Sequence, residues 1–558
     1  MRHTDKRWPT EPRAVRFGRG LSMAAVALAL AVVVACNSTS PYFGDTTPPR
    51  EQVLTLSNMI EPRSLDPHRA LGDYEANITS NLFDCLTTYD PRTSEPLPSL
   101  ATSWEHNADA TVWTFHLRSD AGWTDGAPLT ADDFVYSWRR IVAPATASPA
   151  VSPYLYYVRN GEAINKGRIA DVTELGVRAV DRATLEVTLE RPTPFFLSLT
   201  SWVSFAPLPR QAIERWGGDW IRPEHIVTSG PFRLVSHVPY DRIVLAKWDG
   251  WWGAADVALE RVVILPVEDL NTVVNLYKAN YIQVTWGAIQ TIPSIAVAGL
   301  RDKADFRASP MFGVYYYSLN VKRPPLDNVL VRRALNLAID KRAICERVLR
   351  GGQLPAETYV PHGVPGYPHP PGIGHDPDEA RRLLAEAGYP GGRGFRPIEI
   401  CFNTSDQHRQ IAEAIQAEWK QELGIQVELR NQEWQTFSAT RDRRDYDVAR
   451  SAYSSSEIDP DEFVTTFTSD TTLNIPGWVD PAYVRLIDSA DRDADPARRL
   501  AKIAEAESLL LDAMPIIPIY FLSSLHLQKP FVRGWYDNPL DQHPLRFVSI
   551  DTAWRPEE

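Results

Sequence analysis

Residues 398–429, IEICFNTSDQHRQIAEAIQAEWKQELGIQVEL, decide the fold class of this chain. Ile398, Ile400 and Phe402 alternate with the period of two that marks a strand. Ile411, Ala414, Ile415 and Trp419 then recur at helical spacing up to Gly424, and Ile425, Val427 and Leu429 alternate again. Strand, helix and strand with short joins predict a βαβ unit with parallel strands and a right-handed crossover. Ligands of such sheets sit beyond the carboxyl ends of the strands, which nominates the polar turn Asn403-Thr404-Ser405.

The same alternation extends outward. Asp376 and Pro377 supply an N-cap and an N1 proline for a helix through Leu383 and Leu384, closed by Gly388. A strand over 446–449 runs on towards Arg450 and Tyr453. Asp495 and Pro496 open a helix to about Leu511, and 516–522 reads as a closing strand. Upstream, Trp113, Phe115 and Leu117 share one strand face. Thr130 and Asp133 then form a capping-box-like start to a helix carrying Phe134, Trp138 and Ile141. The expected architecture is α/β in several lobes, with a cleft between lobes for a small ligand.

At the amino end, LSMAAVALALAVVVAC (21–36) follows Arg2, Lys6, Arg7, Arg13, Arg16 and Arg19, opposed only by Asp5 and Glu11. A basic start, an apolar run too short to span a bilayer and a small-residue exit define a secretory signal. The cysteine that ends it, Cys36, is the expected lipidation site, with residues 1–35 removed and 36–51 forming a lipidated tether. Removing 1–35 takes the formal charge from −12 to −16, which argues against nucleic acid as a partner. Cys85, Cys345 and Cys401 show no CxxC spacing, so a single disulfide or three free thiols are both open.

No HExxH, GxSxG, Walker or post-strand GxGxxG pattern appears, so no catalytic residue, metal site or cofactor is expected. Asp491, Asp493 and Asp495 mimic a calcium loop, but Pro496 and Lys502 stand where it needs glycine and glutamate.

Residues 101–138, ATSWEHNADATVWTFHLRSDAGWTDGAPLTADDFVYSW, resemble the central signature of the family 5 extracellular solute-binding proteins. The likeness continues through RPEHIVTSGPFRL (222–234), PPLDNVLVRRALNLAIDKRAI (324–344), residues 403–437 and KPFVRGW (529–535). The nearest branch is the oligopeptide-binding receptors of ABC importers. The resemblance implies a type II periplasmic-binding-protein fold of three lobes: I (52–83, 213–312 and 523–556), II (84–212) and III (313–522). The ligand cleft lies between lobes I and III. It implies a monomeric, exported lipoprotein, in the periplasm or on the cell surface, that binds peptides or peptide-like ligands and delivers them to permease subunits. Carried over by position, the ligand-binding residues are Tyr154, Asn403, His408, Trp434, Arg441, Arg450, Tyr453 and Tyr520. Arg441 and Arg450 are expected to meet a carboxylate.

One departure stands out. Such receptors carry an aspartate for the peptide ammonium where this chain has Ser456. Glu457 or Asp459 is then the expected stand-in, with Ser456 and Glu457 kept as pocket residues. The alternative is an altered, non-peptide pocket on a solute-sensing or protein-interaction lipoprotein. Leu71 and Asp73, on the opposite wall, also depart from the expected order.

Overall fold

Strand Ile398–Asn403 pairs in parallel with Val427–Gln432, from Ile398 opposite Val427 to Asn403 opposite Gln432. Helix Asp406–Glu418 joins them and buries Ile411 and Ile415 completely. The helix widens at Trp419–Leu423, where the Trp419 indole N–H donates to the Leu335 carbonyl at 2.8 Å, and ends at Gly424 with φ 70°. Val427 and Leu429 are only half-buried, because their strand is the edge of its sheet. The βαβ unit is therefore present as predicted, in a computed structural model that describes residues 40–69, 72–149, 154–287, 291–455, 457–471 and 473–556. The expected signal peptide, Cys36, Leu71 and Ser456 lie outside the described residues. The described residues from Phe43 onward form one compact unit.

The unit contains three larger sheets. The first has six strands in the order Leu354–Pro355, Ile516–Leu527, Phe306–Leu319, Val448–Ser454, Ile398–Asn403 and Val427–Gln432. The second orders Val284–Thr285, Val53–Ser57, Arg261–Leu265, Arg242–Lys247 and Phe232–Val238. The third is antiparallel: Ala101–His106, Val112–Leu117, Thr184–Thr188 and Val177–Asp181. Its covering helix, Ala131–Val142, buries Phe134, Trp138 and Ile141 completely, and Asp133 accepts from the Thr130 backbone N–H at 2.7 Å.

Phe306–Leu319 and Ile516–Leu527 are the long strands that tie this arrangement together. Phe306 to Pro310 face Leu527 to Ser523, and Val314 to Ser318 face Phe521 to Ile516, with a register shift between Pro310 and Val314. Beyond the first sheet, the Leu527 N–H donates to Thr285 Oγ1 at 2.9 Å and Gln528 bridges Val284 of the second. The closing strand thus runs five residues past the predicted Leu522. Ser523 and Ser524 end the apolar run that marked it, yet both are buried and the ladder continues.

The predicted caps are in place. Asp376 accepts from the Glu379 N–H at 3.0 Å, and Asp495 from the Arg498 N–H at 2.9 Å. Lys502 donates to Asp493 at 2.8 Å, so an internal ammonium sits where the calcium-like acids would have met a cation. Cys85, Cys345 and Cys401 are free and buried. Within the stretch expected as a tether, the Phe43 N–H donates to both Asp305 oxygens (2.9 and 3.1 Å), and Lys529 Nζ donates to the Phe43 carbonyl at 3.1 Å. Among the described residues no helix is long and apolar enough to cross a membrane.

Candidate functional site

The strand Val448–Ser454 carries both ends of the site. Arg450 and Ser454 lie on one face, four residues and about 13 Å apart at the usual rise of a strand.

At the Arg450 end, the guanidinium lies 5.3 Å from the centre of the Tyr315 ring. That ring stacks on Tyr520 at 4.8 Å, and its hydroxyl lies 3.2 Å from His408 Nδ1. Burial and the neighbouring Arg450 charge lower His408 to about 3, so its imidazole is neutral at physiological pH. Arg441 lies 5.6 Å from the ring of the half-exposed Trp434 and 5.1 Å from that of Phe437. Burial, with Arg450 nearby, lowers the Arg441 guanidinium below its usual range. The Nε atoms of Arg441 and Arg450, and Asn403 Oδ1 at the end of its strand, are buried without hydrogen-bond partners. Two half-buried guanidiniums without a salt bridge among the described residues suit an anion.

At the Ser454 end lies a cavity of about 270 Å³ lined by Tyr154, Tyr453, Trp202, Asp73, Glu462 and Asp541, among others. Tyr154 packs 5.7 Å from Trp202. The Tyr453 and Ser455 hydroxyls donate to one Glu462 oxygen at 3.2 and 2.9 Å. Solvent reaches Asp73, yet enclosure by the surrounding chain and the like charges of Asp541 and Glu75 raise its carboxyl to about 6.

The two expected stand-in carboxylates are occupied elsewhere. Glu457 is fully buried, with Tyr157, Tyr89 and Tyr453 feeling its charge, and it is not among the residues lining the cavity. Asp459 forms a bidentate pair with the buried Arg499 at 2.7 and 2.8 Å, and Asp461 adds a third contact at 3.2 Å. The carboxylate that does reach the cavity, Glu462, begins a short helix, Asp461–Thr465, which turns it back towards Tyr453. Sequence reasoning missed Glu462, Asp541 and Trp202, which come from segments far apart in the chain. Asp73 was noticed only as a departure.

The acid-lined cavity and the two half-buried arginines make up the candidate site. The chain belongs to the bacterial extracellular solute-binding proteins, family 5, whose profile ("family 5 Middle") matches residues 95–474. Members of this family are transport binding proteins, not enzymes, and so is this chain. It is 38% identical to the periplasmic oligopeptide-binding protein OppA of Escherichia coli K12 over 90% of this chain and 93% of that one. It is 34% identical to the probable deoxycholate-binding periplasmic protein YgiS of the same strain, covering 91% and 96%. The structure of the E. coli murein tripeptide binding protein MppA superposes with a TM-score of 0.78 at 33% identity, covering 90% of this chain and 99% of that one. The type II periplasmic-binding-protein fold class holds.

The Asp459–Arg499 pair yields a stability prediction. Removing one partner of a buried ion pair costs about 3–5 kcal/mol. With Asp461 still facing Arg499, Asp459→Asn is expected at the lower end, about 3 kcal/mol, with ligand affinity unchanged. Urea unfolding midpoints and calorimetry check it; a lost ligand with unchanged stability would return Asp459 to the site.

Proposed function

We propose that this protein is the lipid-anchored receptor of an ABC importer, holding short peptides in the cleft and handing them to a permease. The observation that carries the reading is Arg441, on helix Trp434–Asp442, and Arg450, on the strand that leads to an acid-lined cavity, both half-buried and without a salt bridge among the described residues. A separation of about 13 Å matches roughly four extended residues at about 3.3–3.6 Å each, so the ligand is a zwitterion of a few residues. Its carboxylate meets Arg441 and Arg450 while its ammonium enters the cavity. The names of OppA and MppA support a peptide as cargo.

The three-lobe division drawn above belongs to the same reading, with Phe306–Leu319 and Ile516–Leu527 as the connections that bend when lobes I and III close. So does thioether lipidation of Cys36 on the outer face of a membrane, with diacylation strong enough to hold the chain there. The second reading is a non-peptide acid, in line with Ser456 and with the name of YgiS. It uses the arginines but leaves Asp73, Glu462 and Asp541 without a role, and so ranks second.

The test is calorimetric. Hydrogen bonds to charged groups contribute about 1.5–3 kcal/mol, so amidating a tripeptide's carboxyl end should weaken binding about ten-fold or more. Arg450→Gln should erase that difference. Equal affinity of the free and amidated peptides for the unaltered protein contradicts the assignment.

A further inference from the structure

The cavity at the Ser454 end carries more negative charge than one ammonium group requires. Asp73, Glu462 and Asp541 all line it, and no Lys, Arg or His stands among the described residues that do. Asp541 leans on His543 Nε2, 3.1 Å away, and Glu462 accepts from the Tyr453 and Ser455 hydroxyls. Burial, with the like charges of Asp541 and Glu75 adding to it, raises the Asp73 carboxyl. These acids do not gather into a metal-ligating group among the described residues, which turns the expectation towards an organic cation.

A second feature points to the same ligand from the opposite chemistry. Trp202 is 7% exposed, lines the cavity, and its indole N–H has no hydrogen-bond partner. A buried N–H without an acceptor is costly, and a ligand carbonyl answers it. Tyr154, Trp202 and Tyr453 also offer aromatic faces, which attract cations. The volume, about 270 Å³, is below the roughly 300–1,000 Å³ of pockets for drug-sized molecules. It suits one residue with its side chain, not a whole peptide.

We propose that this cavity selects a doubly cationic first residue, taking its α-ammonium and a basic side chain together onto Asp73, Glu462 and Asp541, with its carbonyl on Trp202. The proposal rests on the peptide-receptor reading and adds to it the class of peptide preferred: one that begins with lysine, arginine or a similar diamino acid. A neutral first residue leaves at least one cavity carboxylate uncompensated. Loss of the loop aspartate at Ser456 is then a relocation of the negative charge, with more of it, onto three other segments.

The experiment compares Lys-Ala-Ala with norleucine-Ala-Ala, whose side chain has similar length without the charge, by calorimetry on the full-length protein freed of bound ligand. The lysine peptide is expected to bind about ten-fold or more tightly, the factor a charged hydrogen bond supplies. In Glu462→Gln and in Asp541→Asn, each checked for folding by circular dichroism, the ratio of the two affinities should fall to about three-fold or less. Equal binding of the two peptides by the unaltered protein overturns the selectivity and leaves the peptide reading standing. If neither peptide binds, both fall together.

Discussion

The pairing of Phe306–Leu319 with Ile516–Leu527 is the constraint on which the site depends. Met311 and Phe312, on the first strand, line the acidic cavity, while Tyr315, a few residues on, lies beneath Arg450 and stacks on Tyr520 of the second. A slip of one residue would turn Tyr315 and Tyr520 to the opposite face of the sheet. The register shift between Pro310 and Val314 sets how the cavity end and the arginine end are phased along one strand. The side chains that hold this register are buried along all of Ile516–Leu527 and from Phe312 to Leu319.

Electrostatics then separates the two ends. Near the protein surface a unit charge pair at 4 Å interacts by about 4 kcal/mol, so a guanidinium without a counter-ion is a strong invitation to an anion. Other buried arginines are paired internally. Arg499 meets Asp459 and Asp461, and Arg140 meets Asp66 at 2.6 Å. In the proposed reading Arg441 and Arg450 are left for the ligand, and neutral His408 beside them adds no competing charge.

How much of this was readable beforehand depends on range. The βαβ unit, the Asp376 and Asp495 caps and the Trp113 to Ile141 segment are local, and each follows from period and capping chemistry alone. Tyr154, His408, Arg450, Tyr453 and Tyr520 were reachable only through resemblance, because nothing in their spacing distinguishes them from core aromatics or surface arginines. Glu462 and Asp541 were out of reach. Glu462 stands five positions after Glu457, and which of the two faces the cavity is settled by the turn before Asp461–Thr465. That signal is not present in a linear pattern. The length of the closing strand was underread for a related reason: buried serines carry a ladder without carrying hydrophobicity.

The central claim is that one cleft holds a zwitterion with its anion on Arg441 and Arg450 and its cation among Asp73, Glu462 and Asp541. A crystal structure of the protein loaded with a tripeptide is the most direct measurement. The account predicts the ligand carboxylate within hydrogen-bond reach of at least one of the two guanidiniums and the ammonium against the three carboxylates. A ligand bound in the reverse direction, or seated away from both groups, would contradict it.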